Sequence, residues 1–402
     1  MAEPKVRFKR DDGSSYPAWT IVPFSKLSVP SGIKNKNDAD LESYSISNER
    51  GFVPQNEQFE EAGYLNNADR SLYYIVKPGS FAYNPARINI GSIGYQNVGK
   101  DVLVSSLYEI FNTTDELDDG FLMNWFKTEQ FQKHVRRLSE GGVRQYFYYD
   151  KLCMVKFSLP CLEEQQKIAD FLSSVDEVIT ASEEEVANLE TQKKAVMKKI
   201  FSQEVRFKRT DGSDFPEWEE QPLGTIAGVY DGTHQTPEYV AEGIKFVSVE
   251  NISDLYGSNK YITEDAFMKQ YKNNAPQKGD VLMTRIGDIG TAALVSSDEQ
   301  LAYYVSLALL KPSFVICPNY LVQAIASDFF QSELWIRTLH TAYPQKINKE
   351  DIGKCLIQIP CLEEQRLIAD FLSNFDEAIA AAKKELELWK GLKKGLLQQM
   401  FV

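Results

Sequence analysis

The chain has 402 residues, of which 43% are hydrophobic, and a net charge of −13 at pH 7. This length predicts two or three domains rather than one core. No apolar run approaches the roughly 18 residues that a membrane helix needs, and the N-terminal segment lacks the apolar core of a secretory signal, so we expect no membrane partner. Five cysteines without a CxxC pair favour reduced thiols in a cytoplasmic protein over a disulfide or zinc framework.

The acidic balance argues mildly against nucleic-acid binding, because nucleic-acid-binding proteins usually carry a basic face. Much of the acid, however, lies in a few short segments such as SSVDE, SEEE and DGSDFPEWEE. The stretches between them are only mildly acidic. The composition therefore leaves room for a local basic patch without supplying one.

The first element along the chain is a short tail, residues 1–20, which ends in a Pro-x-Trp sequence. Its segment VRFKRDDGSSYPAW recurs as VRFKRTDGSDFPEW, with ten of fourteen positions identical, so residues 203–219 form a second tail. Two copies at one long offset indicate an internal duplication rather than a solenoid. The basic residues of both tails favour a position near the ends of helices, where they would cap the helices electrostatically.

Each tail is followed by a domain-sized stretch, residues 20–158 and residues 220–358, in which short β-rich runs alternate with turns. Both stretches are therefore predicted to be mixed α/β domains. They resemble each other only faintly, with Gly79 opposite Gly279, which indicates one scaffold whose two copies have diverged. Each also contains one amphipathic helix candidate, at residues 120–138 and 319–339.

A long helix is predicted after each domain, at residues 160–202 and 360–402. PCLEEQQKIADFLSSVDEVI, which begins at Pro160, recurs from Pro360 with fifteen of twenty positions identical. The prolines and the paired glutamates favour a helix start, and a seam then recurs at alternating spacings of four and three, which is typical of a coiled coil. The apolar seam residues are Ile168, Leu172, Val175, Ile179, Val186 and Leu189 in the first copy, and Ile368, Leu372, Phe375, Ile379, Leu386 and Trp389 in the second.

These elements predict an α+β fold. Two mixed α/β domains would be separated by two long antiparallel coiled-coil helices, related by the pseudo-twofold axis of the duplication. Lys193 and Lys393 interrupt the seam at equivalent positions. Such a lysine either fixes the register at some cost in stability or lies at a frayed helix end, and the sequence leaves both readings open.

Motifs for known catalytic chemistry are incomplete. GYQNVGKD misses the P-loop pattern at its last position, where Asp101 replaces the hydroxyl that holds magnesium. The three histidines have no metal-site spacing, and no GxSxG elbow is present. We therefore expect that the chain is not an enzyme and holds no metal.

The duplicated PxLEEQxxIAxFL segment, with a domain before each copy, resembles the specificity (S) subunit of type I restriction–modification systems. The resemblance covers the whole chain. DGTHQTPEY and KGDVLMTRIGDIG in the second domain, and KPGSFAYNPARINIGSIG in the first, are also similar to the target-recognition domains of this family.

The resemblance implies a non-catalytic DNA-recognition subunit. Each target-recognition domain would read one half of a bipartite asymmetric site in double-stranded DNA, while the helices would set the spacer and dock two methyltransferase (M) subunits. The M subunits would methylate adenine N6 with S-adenosylmethionine, and two motor-nuclease (R) subunits, which use ATP and magnesium, would complete the complex. The chain itself would bind no cofactor.

Base readout in the major groove favours arginine for guanine and asparagine or glutamine for adenine. We therefore predict DNA contacts for polar and aromatic residues in loops of both domains, with the two arginines numbered 144 and 285 as the strongest candidates. These residues are Tyr83, Asn84, Arg87, Asn89, Arg144, Gln145 and Tyr146 in the first domain, and His234, Gln235, Thr236, Arg285, Tyr343, Gln345 and Lys346 in the second.

Two other interpretations remain open from the sequence. One is a protein-only scaffold, in which the coiled-coil pair displays two protein-binding domains, and the acidic charge favours it. The other is an enzyme of unknown class whose site is assembled only by folding. DNA binding by the complex with the methyltransferase subunits, and its dependence on salt, would separate the scaffold from the DNA reader.

Overall fold

The computed structural model describes residues 4–58, 69–141 and 145–401. The chain divides into two compact units, one formed by Met1–Glu183 with Lys384–Val402 and the other by Glu184–Lys383. Each unit contains one tail and one mixed α/β domain. It also contains the first part of the long helix that follows this domain and the last part of the other long helix. In the described ranges, no helix is both long and apolar enough to cross a membrane.

The strands of the first unit form two sheets and one separate pair. They are β1 (Thr20–Pro23), β2 (Ser28–Pro30), β3 (Ile33–Lys34), β4 (Ser43–Ser47), β5 (Gly51–Pro54), β6 (Tyr74–Val76), β7 (Phe81–Tyr83), β8 (Ile93–Tyr95), β9 (Val102–Val104), β10 (Glu109–Thr113) and β11 (Lys156–Leu159). An antiparallel sheet has the order β2–β10–β7–β8, and a mixed sheet has the order β3–β6–β9–β4–β5. Strand β1 pairs with β11, directly before the long helix.

The helices of the first unit correct one prediction. They are α1 (Gln55–Gln58), α2 (Asp119–Phe126), α3 (Glu129–Leu138), α4 (Tyr149–Cys153) and the first part of α5 (Leu162–Phe201). The single helix predicted over residues 120–138 is wrong, because α2 and α3 are separate. Thr128 leaves the helical conformation and its hydroxyl accepts a hydrogen bond from the Phe131 backbone N–H at 3.2 Å, so it caps a new helix.

The second unit contains strands in a similar arrangement. They are β12 (Glu219–Pro222), β13 (Ala227–Asp231), β14 (Ile244–Val247), β15 (Tyr261–Ile262), β16 (Val281–Ile286), β17 (Asp288–Leu294), β18 (Leu301–Tyr303), β19 (Leu307–Pro312) and β20 (Leu356–Ile359). An antiparallel sheet has the order β13–β19–β16–β17, a small sheet has the order β15–β14–β18, and β12 pairs with β20.

The helices of the second unit repeat the same correction. They are α6 (Leu223–Ile226), α7 (Glu264–Tyr271), α8 (Pro318–Ile325), α9 (Asp328–Arg337), α10 (Lys349–Lys354) and α11 (Leu362–Met400), whose first part lies in this unit. The predicted helix over residues 319–339 is again two helices, because Ser327 caps α9 by accepting a hydrogen bond from the Phe330 backbone N–H at 3.3 Å.

The two domains share one backbone frame. Gly79 and Gly279, which precede the equivalent strands β7 and β16, both have positive φ angles of 86° and 93°. After β7, the backbone N–H of Phe147 donates to Pro85 O at 3.0 Å, and in the second unit Ile347 N–H donates to Arg285 O at the same distance. The scaffold is therefore alike in both domains even though their side chains have diverged.

The predicted seam is buried. Each of its apolar residues in α5 and α11 is buried or partly buried. In the first unit, Ile168 and Leu172 belong to the hydrophobic core of the domain, which also includes Met400. Ile368 and Leu372 occupy the same positions in the core of the second unit. The first turns of each long helix therefore serve as domain core as well as helix seam.

Each seam lysine forms an ion pair with an aspartate of the other long helix. In the second unit Lys193 Nζ lies 2.6 Å from Asp376 Oδ1, and in the first unit Lys393 pairs with Asp176. Early residues of one helix therefore face late residues of the other, which is the predicted antiparallel arrangement. Two further pairs share this pattern, Glu183 with Lys390 at 2.8 Å and Glu190 with Lys383 at 2.6 Å.

Candidate nucleic-acid interface

The repeated glutamate of the LEEQ segment joins each tail to the start of a long helix. Glu164 is fully buried, and its carboxylate accepts hydrogen bonds from Arg7 Nε at 3.0 Å, Arg7 Nη2 at 2.8 Å and Trp19 Nε1 at 3.1 Å. A buried carboxylate is costly unless it is paired. Arg7 and Trp19 of the tail therefore stabilise the buried Glu164 at the start of the long helix. The tail therefore packs against the start of the long helix.

The second unit contains the same contacts between its tail and the start of its long helix. Glu364 is also fully buried and accepts hydrogen bonds from Arg206 Nε at 3.2 Å, Arg206 Nη2 at 2.9 Å and Trp218 Nε1 at 3.0 Å. The hydrogen bond to Glu364 raises the pKa of Arg206. The bidentate geometry matches the fork of a guanidinium to a carboxylate.

The glutamine of the same segment holds the domain to the helix. Gln165 Oε1 accepts a hydrogen bond from the Asp118 backbone N–H at 2.8 Å, and Gln365 Oε1 accepts one from Cys317 N–H at 2.8 Å. Both amide groups also donate to carbonyls of the proline that precedes the helix, at 3.0 Å and 2.8 Å. The second glutamate and the glutamine of each LEEQ segment therefore have structural roles.

In the first domain, a single open depression of about 860 Å³ brings five predicted DNA-contact residues together. It is lined by Asn84, Arg87, Asn89, Gln145 and Tyr146, and also by Pro85, Ala86, Ser106, Leu107, Glu109 and Tyr148. The lining is rich in amide, guanidinium and aromatic groups, which are the groups that read base edges and stack on nucleotides.

A turn after β7 places the first of these side chains. The Asn84 side chain accepts a hydrogen bond from Ala86 N–H at 3.0 Å, and Asn84 O accepts one from Arg87 N–H at 3.0 Å. Arg87 is exposed at the end of this turn. The bond from Phe147 to Pro85 brings the second segment alongside, where the rings of Tyr146 and Tyr148 stack at 5.6 Å with 4° between their planes.

One predicted residue of the first domain, Tyr83, does not line this depression. Tyr83 is fully buried, packs on Phe111 at 6.4 Å between ring centroids, and has its pKa raised by burial. Its side chain is part of the core, so we leave it out of the residues proposed to contact DNA. Arg144 lies outside the described residues.

In the second domain, Arg285 links the two segments that carry the other predicted residues. Its side chain is only 7% exposed; the guanidinium donates to the Asp231 carboxylate, and its Nε donates to Ile347 O at 3.0 Å. Burial lowers the pKa of this guanidinium, and the charge of Glu350 opposes that shift. Arg285 therefore presents little of itself to DNA and instead connects the end of β13 with the segment after α9.

The exposed residues of the second domain lie on either side of this link. His234, Gln235 and Thr236 follow β13, and Nε2 of His234 lies 3.9 Å from Oδ2 of Asp231. The preceding Gly232 allows a close approach, because a Cβ there would lie 2.4 Å from Tyr303 O.

The second exposed segment follows α9. Tyr343 is fully exposed and Lys346 is exposed, while Gln345 is partly buried and its carbonyl accepts a hydrogen bond from Gly287 N–H at 2.8 Å. In the part of the chain that the structure describes, no group of three or more histidine, cysteine or carboxylate side chains could hold a metal ion.

Comparison with known proteins agrees with this arrangement. The family model described as the type I restriction modification DNA specificity domain matches residues 56–191 and 217–388, which is most of the chain. The chain belongs to this family. It is a type I specificity subunit built from two target-recognition domains.

Two specificity subunits of type I restriction enzymes from Methanocaldococcus jannaschii are similar to this one. The MjaVIII subunit is 28% identical over 317 residues, which cover 74% of this chain and 73% of the relative, and the MjaIX subunit is 24% identical over 323 residues, which cover 77% and 74%.

Two solved structures share the fold of this specificity subunit. The crystal structure of the S subunit from M. genitalium has a TM-score of 0.61 at 16% identity and covers 100% of this chain and 99% of its own. A chain from a structure of the type I R-M system, which describes complex assembly and conformational transition, has a TM-score of 0.58 at 16% identity and covers 96% and 98%.

Sequence reasoning about this specificity subunit missed three residues of the candidate interface. Tyr148 and Glu109 line the depression of the first domain, and Asp231 pairs with Arg285 in the second. Tyr148 stands two residues after Tyr146, so their alternation in an extended segment was the available signal. Glu109 and Asp231 carried no local signal, because strand pairing between distant segments places them at these sites.

Proposed function

We propose that this specificity subunit reads a bipartite asymmetric DNA site, with one half-site contacted by each target-recognition domain. The first domain uses the depression lined by Asn84, Arg87, Asn89, Gln145 and Tyr146, and the second uses its exposed segments after β13 and α9. The chain catalyses nothing itself and binds no cofactor. It works in the cytoplasm within a complex with two methyltransferase and two motor-nuclease subunits.

One observation carries this proposal: the same backbone frame occurs twice, and the two copies carry different side chains at equivalent positions. The frame positions that carry Pro85 and Phe147 in the first domain carry Arg285 and Ile347 in the second. Two alike readers would suit a symmetric site, whereas two unlike readers suit an asymmetric one. Amide and guanidinium groups on loops are also the groups that discriminate bases in the major groove.

The acidic charge of the chain is compatible with this function. With a net charge of −13, the chain alone is expected to bind DNA weakly and with strong dependence on salt. Methyltransferase subunits docked on the helices supply part of the phosphate contacts. These partners use S-adenosylmethionine, and the nuclease subunits use ATP and magnesium.

The direct test is to map modified adenines in a host without adenine methylation that expresses this chain with its own methyltransferase subunit. We expect one split motif, methylated on both strands and separated by a constant gap. The same host expressing the methyltransferase subunit alone is the control, and it should show no motif. An assembled complex that modifies no site would contradict the proposal and favour the protein-only scaffold.

We further propose that the two long helices set the gap between the half-sites. Each helix is continuous, over Leu162–Phe201 and Leu362–Met400. A matched insertion tests this: seven residues between positions 186 and 187 and seven between 386 and 387. These points leave the pairs of Lys193 with Asp376 and of Lys393 with Asp176 intact.

We expect this variant to methylate unchanged half-sites separated by a longer gap. Seven helical residues rise about 10.5 Å and base pairs are about 3.4 Å apart, so the gap should grow by up to about three base pairs. The matched control keeps the native length: the seven residues that follow each insertion point are replaced by the inserted sequence. A methylated motif with its original gap would show that the helices do not act as the spacer.

A further inference from the structure

We propose that Glu109 is a further specificity-determining residue, whose carboxylate accepts a hydrogen bond from the exocyclic amino group of a base in the half-site read by the first domain. That amino group is N4 of cytosine or N6 of adenine. The inference rests on the proposed function and adds to it the chemistry of one contact. It is carried by the position of Glu109, by the absence of a polar partner for it among the described residues, and by the donor pattern of the major groove.

Glu109 is placed at the depression by strand pairing. It is the first residue of β10, and its register partner is Tyr83, the last residue of β7, directly before the turn that carries Asn84 and Arg87. Among the described residues that line the depression, Glu109 is the one acidic side chain. A carboxylate among amide and guanidinium groups would repel phosphate, so its presence there favours contact with bases over contact with the DNA backbone.

The Glu109 carboxylate has no polar partner among the described residues. In the described part of the chain it accepts no hydrogen bond and forms no ion pair, whereas the nearby Asp150 and Glu140 both pair with Lys151, at 3.3 Å and 2.5 Å. Burial raises the pKa of Glu109, and the charge of Asp150 adds to the shift. A partly buried carboxylate without a donor is unfavourable, so a donor that arrives with DNA would lower this cost.

The major groove presents such a donor on two bases only. Cytosine offers N4–H₂ and adenine offers N6–H₂, while guanine offers the acceptors N7 and O6 and thymine offers the acceptor O4. An ionised carboxylate accepts hydrogen bonds and cannot donate them. Glu109 would therefore attract cytosine or adenine and repel guanine and thymine at the same position, which an asparagine such as Asn84 or Asn89 cannot do.

The second domain has no equivalent acid. In its matching strands, the partner of Met283 on β16 is Ala308 on β19, which is fully buried. The effect of Glu109 is therefore confined to the first half-site. The second half-site serves as an internal reference in any measurement.

Glu109→Gln tests the proposal, because glutamine keeps the shape of the side chain and removes its charge. Dissociation constants of the complex with the methyltransferase subunit are measured on duplexes in which each base pair of the first half-site is varied in turn. We expect the wild type to prefer an amino-bearing base at one position by roughly tenfold or more. The E109Q complex should bind the duplexes with guanine or thymine at that position to within about twofold of the preferred one, because a glutamine amide can donate to their acceptors, which a carboxylate cannot. Comparison of the cytosine and adenine duplexes in the wild type identifies which base is read.

The matched control is Glu116→Gln, which makes the same charge change at an exposed position outside the depression. It should leave discrimination at each position unchanged. The melting temperature of E109Q should not fall, because this variant removes a partly buried charge. If E109Q does not fold, Glu109→Asp is measured in its place, since a shorter carboxylate should weaken the preference at the same base pair.

Unchanged discrimination in E109Q, or an equal loss of binding to all duplexes, would overturn the role of Glu109. Either result leaves the proposed function standing as long as the wild-type complex binds its split site. Failure of the wild-type complex to bind any duplex would instead contradict the proposed function itself. The two failures are therefore distinguished by the wild-type measurement.

Discussion

Replacement of Arg206 with methionine is expected to lower the free energy of unfolding of the second unit by about 3–5 kcal/mol. Arg206 supplies two of the hydrogen bonds that the fully buried Glu364 carboxylate accepts, and Trp218 supplies the other. Without the guanidinium, the carboxylate remains buried with one neutral donor. Chemical denaturation near neutral pH measures the loss, followed by a signal that reports the transition of this unit.

The chain offers a matched control in the same tail. Arg209 lies 3.9 Å from Glu363, but this pair is largely exposed, so Arg209→Met should cost no more than about 1 kcal/mol. The double variant Arg206→Met with Glu364→Gln should recover much of the stability, because it removes the buried charge along with its partner. Equal effects of the two arginine variants would show that the contact between Arg206 and Glu364 does not anchor the tail.

Arg285→Ala is expected to weaken base discrimination across the whole second half-site rather than at one base pair. The guanidinium pairs with Asp231 and donates to the backbone carbonyl of Ile347. Asp231 is closely followed by the exposed His234 and Gln235, and Ile347 directly follows the exposed Lys346. Loss of the guanidinium releases both segments at once. We also expect a loss of about 2–3 kcal/mol in unfolding free energy, because Asp231 is less deeply buried than Glu364.

Duplexes that vary each base pair of the second half-site measure this effect, with the first half-site as reference. Arg285→Lys should recover only part of the discrimination, because an ammonium cannot reproduce the planar fork that reaches two acceptors. Relaxation at a single base pair in the alanine variant would instead identify Arg285 as a direct base reader. That outcome is the one that the residue type alone had suggested.

The duplication and the long helices follow from the sequence alone, because a repeated segment and a helical seam can both be read directly from the order of residues. The LEEQ segment repeats at an offset of 200 residues, and a strict four–three seam requires only helical geometry to be recognised. Helix ends were less well predicted inside the domains. Thr128 and Ser327 cap new helices where the hydrophobic pattern continues without interruption, since a cap depends on one hydroxyl rather than on periodicity.

The roles of individual polar residues were decided by the tertiary structure. Arginine is a good guanine reader by type, yet Arg285 is buried and its guanidinium is paired with Asp231, a residue 54 positions away that strand pairing brings beside it. Tyr83 lies in the core because it ends a central strand, and Glu109 reaches the depression through its register with that strand. Local sequence therefore determined the repeated frame of this specificity subunit, whereas long-range pairing decided which side chains remain exposed to read DNA, because exposure depends on neighbours that are distant along the chain.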